Sequence, residues 1–356
     1  MAKKQLRTDN HYVPKLYLKQ WATDGKIPTY RLLVPHENMP LWKNLSLKGI
    51  AFHQNLYTYL TDQDPTDEFE HWMDKEFEQP AQEAIQLVVE EGRMTPDHWK
   101  RLERFALAQD VRTPAKLRSF IKRQNETLPK VLNDTLESST KRLERLAAQG
   151  NLPTSTLNST SRLLKHTPSN YLPIRLSLEK QSDGTGRISA EATVGRRMWI
   201  WQMKHLLTET IQKLPKHHWT ILHAPDGLSW PTSDDPLIKL NYQSPENYNF
   251  NGGWGNKNGD ILLPLSPKHL LYTSIGNKPF LRGTTVATPF YHQLRKIIIE
   301  HADRYIFSLT QFDVDRIRSR LVCAKTYQEE EANWGRWSHE QSLAERKDND
   351  WNSGAS

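Results

Sequence analysis

The sequence predicts an α+β protein in which a helical N-terminal half packs against a mixed or antiparallel sheet with covering helices. Apolar residues recur at three- and four-residue steps from Thr66 to about Ala148, which is the period of a helix. Short β-branched and aromatic segments occur before and after this region, as expected for strands. A sheet covered by helices is an α+β arrangement.

Residues 1–148 are expected to form N-terminal strands followed by a helical region. The segment from Ile27 to Val34 is β-branched and aromatic, and the segment from Gly49 to Leu60 alternates well enough to be its partner strand. In the helical region, Pro80 should kink or restart the first helix, because proline removes a backbone donor. A second helix precedes a third, basic helix that begins near Ala115.

The remainder of the chain divides into three predicted segments. Residues 149–190 are rich in Ser, Thr, Pro and Gly with weak periodicity, which predicts a linker or an irregular excursion. Residues 191–326 combine a long helix with several strand candidates, and we expect them to complete the same core. Residues 327–356 are polar and lack a period, so we expect a disordered tail despite three tryptophans.

The composition argues against a membrane protein. Apolar types make up 37% of the 356 residues, and no apolar stretch approaches the about 20 residues that a transmembrane helix needs. Two lysines near the start have no apolar run behind them, so we expect no secretory signal. The single Cys323 cannot form an internal disulfide. We therefore expect a cytoplasmic protein with no membrane partner.

The charge is unevenly distributed along the chain. Thr61 to Gly92 contains 11 acidic residues and one lysine, whereas Pro96 to Leu163 contains 13 basic and 7 acidic residues. Such blocks are typical of solvated helix faces that pair with each other; the sharper alternative is a surface for a polyanion such as nucleic acid. The basic side chains that would supply that surface are Lys100, Arg101, Arg104, Lys116, Arg118, Lys122 and Arg123.

Familiar catalytic signatures are absent from the sequence. It contains no GxGxxG, no Walker lysine loop, no HExxH and no CxxC. The apolar neighbours of Cys323 favour a structural thiol over a reactive one. His217, His218 and His223 are close in sequence, but His218 and His223 would fall on opposite faces of a strand, which is poor geometry for zinc.

The first candidate site is the segment HYVPKLYLKQW, from His11 to Trp21. Its large apolar residues would anchor the start of the chain to the core, with His11 held by a hydrogen bond. The functional alternative makes His11 an acid, a base or a phosphate ligand, because an unperturbed imidazole has a pKa near 6.5.

The second candidate consists of two charged residues on apolar helix faces. Glu76 lies seven residues after Phe69, and Arg112 continues the face of Leu102, so both should point inward. An isolated buried charge is costly, and we expect the two to compensate each other or another polar partner, with a structural ion pair between two helices as the simplest account. In the alternative, Arg112 holds a phosphate or carboxylate and Glu76 contacts the substrate.

The third candidate is the polar turn PTSDDP, which contains Ser233, Asp234 and Asp235. Side chains of this kind cap turns through their own backbone, which is sufficient to explain the turn. Adjacent aspartates at the end of a strand are also suited to a hard cation such as Mg²⁺, while Ser233 and Asp235 would contact a substrate. The metal requirement stays open at this point.

These segments together resemble one family. The chain contains HYVPKLYLKQW, QDVRTPA, PTSDDP, LPLSP and ADRYIFS in that order, between about residues 9 and 310. In this order they resemble DUF4238, a mostly bacterial family defined only as a domain of unknown function. The resemblance implies a bacterial or phage-related protein and supplies no activity. The family's turn usually reads TSDNP, so Asp235 replaces an asparagine amide.

We expect a cytoplasmic hydrolase that acts on nucleic acid or a nucleotide, with bacterial defence against phage as its setting. His11 would be the general acid or base, Asp234 would orient it or bind Mg²⁺, and Arg112 would hold the anion. The alternative is a non-catalytic module that binds nucleic acid or protein, in which the same residues only brace the fold.

Overall fold

The computed structural model describes residues 6–61, 64–150, 175–180 and 186–354 and confirms the α+β class. Its α-helices are α1 Lys15–Leu18, α2 Glu68–Met73, α3 Gln79–Val89, α4 Pro96–Val111, α5 Pro114–Ala148, α6 Arg196–His205, α7 Thr288–His301 and α8 Ala324–Gly354. A π-helical turn, Asp74–Glu78, joins α2 to α3 just before Pro80, and a second, Leu206–Thr210, follows α6. The predicted kink near Pro80 is therefore a wide turn that changes the helix register.

The strands are short and form two larger sheets and several small ones. They are β1 Asp9–His11, β2 Lys26–Arg31, β3 Leu33–Val34, β4 Trp42–Ser46, β5 Phe52–Gln54, β6 Tyr59–Thr61, β7 Asp64–Thr66, β8 Arg175–Lys180, β9 Gly186–Glu191, β10 Thr220–His223, β11 Thr232–Ser233, β12 Ile238–Ser244, β13 Asn247–Asn249, β14 Gly259–Pro264, β15 His269–Ser274, β16 Thr284–Thr285, β17 Tyr305–Phe307 and β18 Leu321–Val322.

The six-stranded sheet is mixed, which is one of the two arrangements that the sequence predicts. Its order is β13-β12-β14-β15-β10-β16; the first five strands are antiparallel to their neighbours and β16 runs parallel to β10. The four-stranded sheet, β11-β17-β2-β4, is antiparallel. It joins β2 from the start of the chain to β11 and β17 from its second half, which brings the PTSDDP turn beside the ADRYIFS segment.

The predicted pairing of the segment 49–60 with β2 is wrong. The partner of β2 on that side is β4, while β5 pairs with β1. Ala51 and Asn55 have positive φ angles of 51° and 56°, which interrupt the extended backbone that a continuous strand needs. The segment is therefore divided into β5 and β6 rather than forming one strand.

The HYVPKLYLKQW segment is anchored in the main core. Tyr17 and Trp21 have no exposed surface. The Tyr17 hydroxyl donates to the carbonyl oxygen of Pro264 and contacts Thr232 Oγ1, each at 2.6 Å, and Trp21 Nε1 donates to the Trp230 carbonyl. Burial of such large aromatic side chains contributes roughly 2–3 kcal/mol each. The segment thus holds the start of the chain against the second half.

The predicted disorder of the segment 327–356 is contradicted over residues 327–354, which belong to α8. This helix has no strong apolar face, but Trp334 and Trp337 pack against the main core. Glu345 is 3% exposed and forms two hydrogen bonds with Arg196, at 2.9 and 2.7 Å. A few anchoring side chains, rather than a continuous apolar stripe, hold the helix, which explains why the periodicity of the sequence does not show it.

The predicted linker over residues 149–190 falls mainly on residues 151–174 and 181–185, which lie outside the described part of the chain. Within the same range, β8 and β9 pair as an antiparallel hairpin, with Arg175 opposite Glu191.

Candidate functional site

Three of the motif segments meet through direct contacts. The Arg112 guanidinium donates from Nη2 to the carbonyl oxygen of His11 at 2.6 Å, which joins α4 to the HYVP segment. The Thr113 hydroxyl donates to Asp235 Oδ1 at 2.9 Å, which joins the same helix end to the PTSDDP turn. These segments therefore do meet. The side chains that line the open space beside them, however, belong mostly to adjacent residues of the same segments.

We call that space the Asp234 cleft. It is an open cleft of about 580 Å³, a volume that includes the solvent at its mouth, and it is lined by residues that include Tyr12, His53, Arg118, Asp234, Asp303 and Trp334. Tyr12 follows His11, Asp234 belongs to the PTSDDP turn, and Asp303 belongs to ADRYIFS. The cleft therefore lies where the N-terminal segment, the turn and α8 come together.

Asp234 is a buried carboxyl group at this cleft. It is 3% exposed, and its two oxygens accept hydrogen bonds from the backbone N–H groups of Asp303 at 3.0 Å and Arg304 at 2.8 Å. Burial, and then the neighbouring Asp303 carboxylate, raise the pKa of Asp234 to about 7, although the backbone donors oppose the shift. The carboxyl group therefore changes charge close to neutral pH.

Two guanidinium groups compensate the acidic side chains of the cleft. Arg118 forms an ion pair with Asp303, and its side chain remains 44% exposed. Arg304 donates from Nη1 to Asp303 Oδ1 at 3.3 Å and forms a two-pronged pair with Glu330, with Nε 2.8 Å from Oε2. The Arg304 guanidinium is thus bound by a carboxylate of α8, whereas the Arg118 guanidinium is accessible to a ligand.

An aromatic wall closes another side of the cleft. The rings of His53 and Trp334 stack with centroids 4.0 Å apart, and the rings of Tyr12 and His53 stack with centroids 5.5 Å apart. Burial, and then the charge of Arg118, lower the pKa of His53 to about 4. The imidazole is therefore neutral at pH 7, and the wall presents flat uncharged rings.

His11 and Arg112 are not among the residues that line this cleft. The His11 ring is 8% exposed and stacks on Phe52 at 5.4 Å, and its Nε2 has no hydrogen-bond partner among the described residues. Burial, and then Lys15, lower the pKa of His11 to about 4, so it is neutral near pH 7. Arg112 is completely buried, and protein acceptors hold its guanidinium.

The predicted pair of Arg112 with Glu76 is wrong, because the carboxylate that binds Arg112 is Glu78, at 2.5 Å. The π-helical turn widens the helix over these residues and changes the angular positions expected from a regular helix. Glu76 instead offers its backbone carbonyl oxygen to Arg104 at 3.5 Å. Glu70 also faces Arg112, and burial raises the pKa of this carboxyl to about 7.

The remaining residues of the PTSDDP turn are held by protein groups. Ser233 Oγ accepts from the backbone N–H of Asp235 at 3.3 Å, so Ser233 caps the turn. The Asp235 carboxylate accepts from Thr113 and lies 3.2 Å from the ammonium of Lys116. Because N–H, O–H and ammonium donors surround the carboxylates of Asp234 and Asp235, these residues do not fit Mg²⁺.

Most of the basic side chains predicted to bind nucleic acid have partners within the protein. Arg101 binds Glu83 and Asp97 at 2.5 and 2.6 Å, which pairs the basic block with the acidic one. Arg104 lies over the Phe77 ring, Lys116 binds Asp235, Arg118 binds Asp303 and Arg123 donates to Gln202. Within the described ranges, Lys100 and Lys122 are exposed and form no ion pair.

Sequence reasoning missed several residues of the cleft. Asp303 and Arg304 lie in the ADRYIFS segment, whose position among the motifs was a usable signal. His53 sits in an ordinary short strand, and Trp334 sits in the segment expected to be disordered; neither had a signal that distinguishes it from a core residue.

Comparison with known proteins shows the family of the chain. Residues 9–312 match the family described as protein of unknown function (DUF4238). No curated protein and no solved structure matches the chain. Among the described helices, none is long and apolar enough to cross a bilayer. With more than half of its length matched, from β1 to beyond β17, the chain belongs to the DUF4238 family.

Proposed function

We propose that the protein is a hydrolase that acts on a nucleotide or on nucleic acid at the Asp234 cleft. The observation that carries this proposal is the pair of Asp234 and Asp303 carboxyl groups beside an accessible guanidinium. The pKa of Asp234 is raised to about 7, and a group that titrates near the working pH is the most effective general acid or base. Perturbed carboxyl groups in clefts are candidates for catalysis on physical grounds.

The reaction that these groups support is the attack of water on a phosphorus atom. The water oxygen would form the new P–O bond while its proton passes to the Asp234 and Asp303 carboxyl pair. The P–O bond to the leaving group breaks, and the leaving oxygen takes up a proton. Arg118 would neutralise charge on the phosphate oxygens, as guanidinium groups commonly do.

The aromatic wall supports a nucleobase as part of the substrate. Trp334 and the neutral His53 ring already stack on each other, and aromatic stacking on a base contributes about 1–3 kcal/mol without sequence preference. A single-stranded end or a free nucleotide fits this arrangement better than a duplex, because the faces of bases inside a duplex are covered by the neighbouring base pairs. Action in the cytoplasm of a bacterium during phage defence remains the setting proposed with this activity.

A second function is favoured by one specific observation. Both oxygens of Asp234 accept backbone N–H donors, so the carboxyl group also stabilises the turn at Asp303 and Arg304. If that is its whole role, the cleft is a binding site in a non-catalytic module for nucleic acid or protein. Arg118 and the aromatic wall would then bind a ligand without turnover.

An activity screen separates the two functions. The full chain is incubated with nucleotides, single-stranded and duplex DNA, and RNA, with Mg²⁺, Mn²⁺ or chelator, and released phosphate and shortened products are measured. Asp234→Asn should lower turnover by about a hundredfold or more, as expected for loss of a general acid or base. Arg118→Gln should weaken substrate binding, whereas Arg123→Gln, an exposed arginine on the same helix that binds Gln202, is the matched control.

The results of this screen distinguish the hydrolase from the binding module. Turnover that survives in Asp234→Asn would overturn the catalytic assignment. Absence of turnover on every substrate, together with ligand binding that Arg118→Gln weakens and Arg123→Gln preserves, would establish the binding module instead. Circular dichroism and a melting curve for each variant verify that the fold is retained.

A further inference from the structure

Three potential metal ligands from distant parts of the sequence meet outside the Asp234 cleft. Glu91 follows α3, and His223 and His269 are the last and first residues of β10 and β15. One ligand atom from each side chain can be chosen so that all three atoms lie within 4.8 Å of one another. We refer to these residues as the Glu91 cluster.

The sheet fixes the two histidines relative to each other. His223 and His269 are directly opposed in the antiparallel pairing of β10 and β15, which puts their side chains on the same face of the sheet. Their ring centroids are 4.8 Å apart and the ring planes are nearly perpendicular, at 86°. The backbone of Gly283 adjoins His223, since a Cβ added there would lie 3.7 Å from Cε1. The imidazoles are thus positioned by the scaffold rather than by a loop.

His269 has a buried nitrogen atom without a partner. The residue is 2% exposed, and its Nε2 forms no hydrogen bond among the described residues. Nδ1 lies 2.8 Å from Ser266 Oγ, which also accepts the backbone N–H groups of Lys268 and His269. Metal binding through Nε2 requires the tautomer in which Nδ1 carries the proton and points it at this oxygen. Nε2 is 4.0 Å from Glu91 Oε1, so the unpartnered nitrogen faces the cluster. A metal-bound histidine characteristically has its other nitrogen held by such a second contact.

Glu91 supplies the anionic ligand of the cluster. Its Oε1 accepts a hydrogen bond from the Lys268 ammonium at 2.6 Å, which leaves Oε2 for a metal ion and places one positive charge beside the cluster. Imidazole nitrogens and carboxylate oxygens are both ligands that divalent transition metals accept.

We propose that Glu91, His223 and His269 bind a divalent transition metal ion, with Zn²⁺ as the best match. Two imidazole nitrogens and one carboxylate are a ligand set that Zn²⁺ accepts, with a fourth position left for water. Zn–ligand bonds of about 2.0–2.1 Å place tetrahedral ligands about 3.3 Å apart, so the cluster must contract by up to about 1.5 Å. Glu91 can contribute to this movement because its side chain is 53% exposed.

This proposal does not rest on the proposed hydrolase activity, and its test uses binding. The purified full chain is freed of metal with a chelator, and Zn²⁺ is titrated in competition with a chromophoric chelator. We expect one ion per chain. Co²⁺ in place of Zn²⁺ should give the visible absorption bands of a tetrahedral site. His269→Gln and His223→Gln should each weaken Zn²⁺ binding by about a hundredfold or more, and Glu91→Gln should weaken it at least tenfold.

The control variant is His218→Gln, since His218 is an exposed histidine just before the same strand. It should bind Zn²⁺ like the wild type. The partly exposed His223 and exposed Glu91 keep the test decisive if replacement of the buried His269 impairs folding. Absence of a one-to-one complex, or equal affinity in the wild type, His223→Gln and Glu91→Gln, would overturn the proposal. The latter result would mean that Zn²⁺ binds elsewhere on the chain.

Discussion

Arg112 and Arg118 are six residues apart at the junction of α4 and α5, but they differ in what they offer to a ligand. Arg112 has no exposed surface, and its guanidinium is bound by Glu78 and by the backbone of His11. Arg118 is 44% exposed and binds one carboxylate, Asp303. The first is a clamp between segments of the fold, and the second is available at a cleft. An arginine in a motif is therefore not evidence of a ligand site by itself.

The largest expected effect is the loss of stability on replacement of the buried Arg112. Arg112→Ala should lower the free energy of unfolding by about 3–5 kcal/mol, because the carboxylate of Glu78, only 14% exposed, is left without its partner. Arg118→Ala should change it by less than about 1 kcal/mol, as is usual for exposed ion pairs. Urea unfolding of both variants measures the difference. Equal losses would show that the contrast between the two arginines is wrong.

A double-mutant cycle sharpens the same comparison. Glu78→Ala and Arg112→Ala together should lose clearly less than the sum of the single losses, since the first removal already breaks the pair. Glu76→Ala should be additive with Arg112→Ala within about 0.5 kcal/mol. Strong coupling of Arg112 with Glu76 and additivity with Glu78 would restore the pairing expected from the regular helical period.

A smaller effect is expected at the pair that anchors α8, the helix that carries Trp334 into the cleft. Glu345→Gln keeps the shape of the side chain but removes the charge that faces Arg196, and it should destabilise the protein by about 1–3 kcal/mol. Faster hydrogen exchange across α8 should accompany the loss. Gln341 accepts from the Arg196 backbone N–H at 2.7 Å, so Gln341→Glu, which retains an acceptor there, serves as the control. Unchanged exchange in Glu345→Gln would show that the other contacts of α8, which include the tryptophans and the pair of Arg304 with Glu330, are sufficient to hold it.

The sequence predicted the class of the fold because periodicity reports burial directly. The helical region, the mixed sheet and the anchoring of HYVPKLYLKQW all follow from apolar spacing. Two features did not follow. Because of the π-helical turn, Glu78 rather than Glu76 binds Arg112, and a wide turn of this kind has no distinct residue pattern. The second feature is α8, which is held by a few long-range contacts such as that of Glu345 with Arg196.

The site was predicted at the level of segments rather than side chains. The order of the motifs identified the HYVP, QDVRTPA and PTSDDP segments, and these do meet. Which side chain faces the cleft depends on local backbone direction, so Tyr12 lines it and His11 does not. The Glu91 cluster could not be predicted from the sequence, because its ligands come from an interhelical connection and two separate strands. The residues near His223 in the sequence did not indicate that it faces His269.

The pH dependence of stability tests whether the cleft carboxyl differs from an ordinary surface acid. The native pKa of Asp234 is about 7, above its ordinary value near 3.9, so the folded protein binds the extra proton between these values. Stability from this group is therefore fully present at low pH and is lost as pH rises toward 7, by at most about 1.4 kcal/mol per pH unit. Glu70 contributes with the same sign, and His53 with the opposite sign.

Comparison with Asp234→Asn isolates the contribution of this carboxyl, since the other groups titrate in both proteins. Urea unfolding at pH 5, 6 and 7.5 should show that the variant loses less stability than the wild type as pH rises. Parallel curves over this range would mean that Asp234 is ionised throughout, which would also remove the basis for its role as a general base.

The smallest expected effect concerns the basic residues of α4 and α5. Lys100 and Lys122 are exposed without ion pairs in the described structure, whereas two carboxylates already neutralise Arg101. If this surface binds nucleic acid, Lys100→Gln and Lys122→Gln should each reduce the slope of log affinity against log salt by about 0.9 for duplex DNA. Arg101→Gln should change the slope less, because its charge is not free to replace counterions around the phosphates. Fluorescence anisotropy between about 50 and 200 mM salt measures these slopes. An affinity that is absent, or that does not vary with salt, would leave the pairing of the acidic and basic helices as the whole explanation of the charge blocks.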